Sequence, residues 1–120
     1  MFLGGGATSR RNKMNRWNIP DRVEDKVRRR DKRCVYCHIV MKEYPHTSGV
    51  RPNKATWEHI DNDGPSSETN VVRCCGACNS SKGTKKLLKW FESEYCKQRK
   101  INEKTVLPMV KNWLRHRKSR

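Results

Sequence analysis

The chain is short of apolar residues, of acidic residues and of long hydrophobic runs. Only 33% of its 120 residues are hydrophobic, and its mean hydropathy is -1.07. That excludes a large self-sufficient core, because a domain of this size buries a limited share of its surface and commonly needs a staple. No stretch approaches the ~20 consecutive apolar residues of a membrane-spanning helix. Met1-Phe2-Leu3 runs straight into Gly4-Gly5-Gly6 rather than into the apolar centre of a secretory signal, so a cytoplasmic setting is expected, bacterial or host-cell cytosol. Acidic groups are outnumbered, 12 Asp and Glu against 28 Lys and Arg, for a net charge of +16. The expected partner of such a surface is a polyanion, DNA first, and not a membrane.

The basic charge is uneven. Residues 1–33 carry a net +7 and residues 79–120 a net +10, while residues 34–78 carry -1. The flanks are suited to grip a polyanion, and the centre keeps the carboxylates that a divalent cation needs. Two Cys-x-x-Cys pairs, Cys34/Cys37 and Cys75/Cys78, bracket that centre. Paired thiols at this spacing in a lysine-rich chain predict one zinc ion rather than disulfides. Four thiolates complete a tetrahedron, so the zinc is structural. Cys74 competes with Cys75 for the last pair, but Cys74 to Cys78 has three intervening residues, unlike the first pair. Cys96 has no partner and is expected to pack in a helix.

Residues 1–15 are rich in Gly, Ser, Asn and Arg without apolar periodicity and read as a disordered basic arm; residues 16–120 read as one domain with basic C-terminal helices. Pro20-Asp21 opens a helix that carries Val23 and Val27 on one face. Residues 38–54 read as a loop or poor hairpin. Ala55 to Ile60 and Asn70 to Cys74 read as two strands of an antiparallel hairpin, joined by a loop rich in Asp, Asn, Ser, Gly and Pro. Leu87, Phe91 and Tyr95 then mark one helix, capped by Ser81 or Thr84. A last helix covers about Thr105 to Arg117, with Pro108 in its first turn.

These blocks, in this order, resemble the zinc-containing branch of the HNH endonucleases. The matching residues are Cys34-Val35-Tyr36-Cys37, Glu58-His59-Ile60, Asn70-Val71-Val72 and Cys75-Gly76-Ala77-Cys78-Asn79-Ser80-Ser81-Lys82-Gly83, within about residues 20 to 90. The resemblance implies a small zinc-stabilised α+β domain with a ββα-metal motif, a hairpin packed on a helix, and flanking helices. It implies that His59 is the general base and that Asn70 braces the loop that orients it. It also implies that Glu58, often Asp in relatives, and Asn79 hold a catalytic Mg²⁺ or Mn²⁺. The chain would be an H-N-N variant with Glu in place of Asp.

The chemistry suits those residue types. A neutral imidazole, with an ordinary pKa of ~6.5, can take a proton from water, a contribution of roughly 10²–10⁴-fold. Oxygen ligands suit a hard divalent cation that offsets charge on the leaving oxygen. On a regular strand Glu58 and His59 face opposite sides, so a shared site requires the strand to end or twist at His59. Arg73, Lys82, Lys85, Lys86 and Lys89 are the expected DNA contacts. The expected activity is metal-dependent hydrolysis of DNA phosphodiesters, nicking as a monomer. The alternatives are a non-catalytic zinc-stapled nucleic-acid-binding module and, more distantly, a zinc-ribbon adaptor for a protein partner.

Overall fold

A computed structural model describes residues 17–49 and 51–118; the expected basic arm at 1–15 lies outside them. The described residues form a small α+β arrangement with a two-stranded antiparallel sheet and five α-helices. Among them, no helix is long and apolar enough to cross a membrane.

Helix α1 spans Asp21–Arg30. Asp21 and Glu24 sit in its first turn and Arg28, Arg29 and Arg30 in its last, the distribution that complements the helix dipole. Its apolar stripe, Val23 and Val27, buries with Ile19 against Trp57 and Val71 of the hairpin. The following residue, Asp31, is a buried carboxylate. Arg30 grips it through two hydrogen bonds of 2.7 and 2.8 Å, and it accepts the backbone N–H of Arg73 at 3.1 Å. Helix and sheet are thereby joined by a charge-assisted bond as well as by apolar contact.

Strands β1 (Ala55–His59) and β2 (Val71–Cys75) pair in register from Ala55 opposite Cys75 to His59 opposite Val71. Every residue of β2 is buried. The segment before β1 is irregular, with a single 3₁₀ turn at His46–Ser48 and an isolated bridge between Lys42 and Lys54. Helix α2 (Gly76–Lys82) starts directly after β2 and packs on both strands. Gly76 is required there: a Cβ would lie 2.0 Å from the Arg51 carbonyl oxygen.

The expected single helix through Leu87, Phe91 and Tyr95 is two, α3 (Leu87–Phe91) and α4 (Glu94–Arg99). The break is a capping event: the Ser93 hydroxyl accepts the N–H of Cys96 at 3.3 Å and restarts the helix. Neither Ser81 nor Thr84 caps α3; Lys86 precedes it without a side-chain bond. Helix α5 spans Pro108–Lys118, with Pro108 at its first position, where no N–H is needed. The main core lies between these helices and the outer face of the hairpin. Trp90 is fully buried, edge-on to Tyr36 at 4.9 Å, and its indole N–H donates to Ser81. Val72, Ile101, Val106 and Val110 complete it. Each contributes roughly 1.5–3 kcal/mol by leaving water.

Candidate metal centre and hairpin site

Two turns of chain bring Cys34, Cys37, Cys75 and Cys78 together, with all four Sγ atoms within 4.8 Å of one another. Cys37 and Cys75, from different turns, are 3.7 Å apart at sulfur. A disulfide needs about 2.05 Å; a zinc tetrahedron with Zn–S of ~2.3 Å has an edge of about 3.8 Å. The donors therefore fit one structural metal ion such as zinc. Hydrogen-bond donors surround the sulfurs. The N–H groups of Cys37 and Cys78 point at the sulfurs of Cys34 and Cys75, each at 3.4 Å, and the Tyr95 hydroxyl donates to Cys78 at 3.3 Å. Hydrogen bonding among the four thiols splits them: Cys37 is pulled far below its ordinary range and Cys34 down to about 7, while Cys75 and Cys78 are pushed up. Cys74 points elsewhere, with its sulfur 3.6 Å from the Thr56 hydroxyl; burial pushes that thiol up, so it stays protonated. Cys96 is buried in α4, as expected.

At the other end of β1, His59 is half-buried and shares a 2.9 Å hydrogen bond between Nε2 and the Ser66 hydroxyl. Burial lowers its pKa from the ordinary value, and the nearby Lys82 adds to the effect. The imidazole is therefore neutral at pH 7. The loop beyond it is closed by Asn70. That side chain accepts the Asp61 N–H at 2.9 Å and donates to the carbonyls of Asp61 and Pro65, both at 3.0 Å. The Asn70 carbonyl also takes the N–H of Ile60. Asn70 thus fastens both flanks of the loop that carries Ser66. Gly64 makes room for it: a Cβ there would sit 2.8 Å from the Asn70 amide nitrogen.

Glu58 points to the opposite side of β1. The strand remains regular through His59, so the side chains alternate as on any strand. Glu58 is 5% exposed, and its Oε2 lies 2.7 Å from the Lys82 ammonium and 3.4 Å from the Tyr36 hydroxyl. Burial raises its pKa, an effect that Lys82 partly offsets. Lys82 is fully buried and also reaches the His59 carbonyl at 3.4 Å. Asn79, inside α2, turns its amide N–H₂ to the Thr56 hydroxyl at 2.9 Å and the Trp57 carbonyl at 3.2 Å. Glu58 and Asn79 therefore have separate partners, and a lysine holds the carboxylate expected to bind Mg²⁺ or Mn²⁺. As arranged, this pair does not fit an open divalent site.

The expected DNA contacts divide. Lys85, Lys86 and Lys89 are exposed. Lys82 and Arg73 are buried. Lys82 is consumed by Glu58. Arg73 is 3% exposed, ion-paired with Glu43 at 2.7 Å, bonded to the Ala55 carbonyl at 3.0 Å and laid against the Trp57 ring. Sequence reasoning passed over Tyr36, Glu43 and Ser66. No spacing rule reaches them, since each partner is brought in by the fold. No protein-family model, curated protein or solved structure matches the chain.

Proposed function

We propose that the chain is a nucleic-acid endonuclease of the HNH type, with the hairpin and α2 as its ββα-metal element and His59 as its general base. The observation that carries the reading is a neutral, half-buried imidazole at a strand end, hydrogen-bonded to a loop that Asn70 locks through three hydrogen bonds. Such a group can accept the proton of an attacking water, while Lys85, Lys86 and Lys89 offer exposed positive charge to the phosphate backbone. The zinc centre is scaffolding: it ties the first knuckle to the β2–α2 junction. No step is assigned to a second metal, because Glu58 would have to release Lys82 before binding one.

The test is relaxation of supercoiled plasmid by wild type and His59→Ala, in Mg²⁺, in Mn²⁺ and without either. Loss of roughly 10²–10⁴-fold in His59→Ala is expected. The rate should rise with pH through a pKa below ~6.5 and then level, because a base with a depressed pKa is already free at neutral pH. Equal rates for the two proteins would sink the proposal. The burial of Glu58 against Lys82 favours a second reading, a zinc-stapled nucleic-acid-binding module without catalysis. It predicts salt-sensitive DNA binding and no relaxation under any metal condition.

A further inference from the structure

The side of the hairpin that carries Trp57 holds a groove of about 520 Å³, lined by Arg28, Glu43, Lys54, Thr56, Trp57 and Arg73 among others. Two guanidinium groups converge in it. Arg28 and Arg73 lie against the Trp57 ring at 5.2 and 4.4 Å from its centroid. Both donate to one oxygen, Oε2 of Glu43, at 3.2 and 2.7 Å. Each arginine is anchored without Glu43. Arg28 bonds Glu24 one turn back at 3.0 Å, and Arg73 bonds the Ala55 carbonyl at 3.0 Å. Glu43 is the loose member: its side chain is 64% exposed, on a segment outside regular structure. It also leaves a donor unanswered. Arg73 Nε is buried without a partner, the only such side-chain polar atom among the described residues. Planar guanidiniums that converge on one oxyanion, with a lysine beside them, match the chemistry of a phosphate.

We propose that this groove binds one phosphodiester of a nucleic-acid backbone through Arg28, Arg73 and Lys54, and that Glu43 fills the anion position until the backbone displaces it. The proposal rests on the reading that the chain binds nucleic acid, but not on catalysis. Trp57 and His59 alternate onto the same side of β1, about 7 Å apart along the strand.

The experiment measures affinity for a labelled duplex DNA across a salt series by fluorescence anisotropy, with His59→Ala as the background so that nothing is cut. In that background Glu43→Gln should bind about two- to fivefold tighter. Arg28→Ala should flatten the slope of log affinity against log salt by about 0.9, the loss of one phosphate contact. In Arg28→Ala/Glu43→Gln the gain should shrink, whereas Glu94→Gln, which removes a like charge on α4, should not reproduce it. Inorganic phosphate as competitor separates a general anion site from one that needs the polymer. An unchanged slope in Arg28→Ala, or a Glu43→Gln gain that survives the loss of Arg28, overturns the proposal. If His59→Ala cuts plasmid as well as wild type while the salt series behaves as stated, the nuclease reading fails and the phosphate site stands.

Discussion

The two ends of the hairpin are held by different means. At the β2–α2 junction, four thiols from two distant turns converge within 4.8 Å of one another, a cluster that could hold one metal ion. At the β1 end, His59 and its loop depend on neutral hydrogen bonds from one amide, with a buried ammonium behind them. A metal centre contributes folding energy outright and tolerates no missing ligand. A hydrogen-bonded brace contributes about 0.5–1.5 kcal/mol per bond and can be weakened without loss of the fold. The first end should therefore fail all at once and the second by degrees.

The largest effect is expected at the four-cysteine cluster, if it holds zinc. Apparent binding energies of structural zinc are roughly 10–16 kcal/mol, against total stabilities of about 5–15 kcal/mol for ordinary domains. Cys78→Ser, or stripping the metal with a strong chelator, is expected to unfold the chain at 25 °C. Far-UV circular dichroism and zinc content by atomic absorption measure it. A cooperative melt that persists in metal-free protein would show that the core alone suffices and erase the contrast between the two ends.

Next comes Lys82, which serves the β1 end from inside the core. Lys82→Met leaves the Glu58 carboxylate buried and unpaired, a loss of about 3–5 kcal/mol in urea denaturation at pH 7. The pH dependence has a definite sign. Burial already raises the Glu58 pKa, and without Lys82 only the Tyr36 hydrogen bond offsets it. A carboxyl whose folded pKa lies above its unfolded value is most favourable to the fold below the unfolded value, and its contribution is lost as pH rises through the folded one. The deficit of Lys82→Met should therefore shrink as pH falls toward 4.5, the ordinary value for Glu58. Lys82→Met/Glu58→Gln should recover most of it at pH 7. A deficit independent of pH would mean that packing, not charge, is what Lys82 supplies.

The same residues explain what could be read in advance. The cysteine cluster and both strands were legible because spacing and alternation are local signals; β1 ends one residue earlier than expected and β2 is shifted one residue later at both ends. The role of Asn70 as a brace was implied by motif alone; its bonds to Asp61 and Pro65 are visible only in the fold. Lys82 was not legible, because its environment is decided by Glu58, 24 positions away, and a lysine in a basic stretch reads as solvated. The partners of Arg73 were not legible for the same reason: Trp57 and Glu43 come to it only once the hairpin closes. Charge composition reports how many cations a chain has, and tertiary pairing decides which of them face water.

The smallest effect is the most informative about the brace. Gly64→Ala places a methyl 2.8 Å from Asn70 Nδ2 and 3.3 Å from the Asp61 carbonyl oxygen. Contacts that close force the Asn70 amide to shift, and its bonds to the loop lengthen or break. Overpacking of this kind costs about 1–3 kcal/mol, and Asn70→Ala, which strands the Asp61 N–H and the Pro65 carbonyl, should cost a similar amount. The two losses should not add. Once Asn70 is alanine, the methyl at position 64 meets no amide, so Gly64→Ala in the Asn70→Ala background should cost only the remaining contact with the Asp61 carbonyl. A double-mutant cycle by urea denaturation therefore should give a coupling near 1 kcal/mol or more, of the size seen between residues in contact. Under the nuclease reading, both single variants also slow plasmid relaxation, since each loosens the loop that carries Ser66 against His59. Additive losses would mean that Gly64 and Asn70 hold the loop independently, and that the β1 end is braced at more than one point.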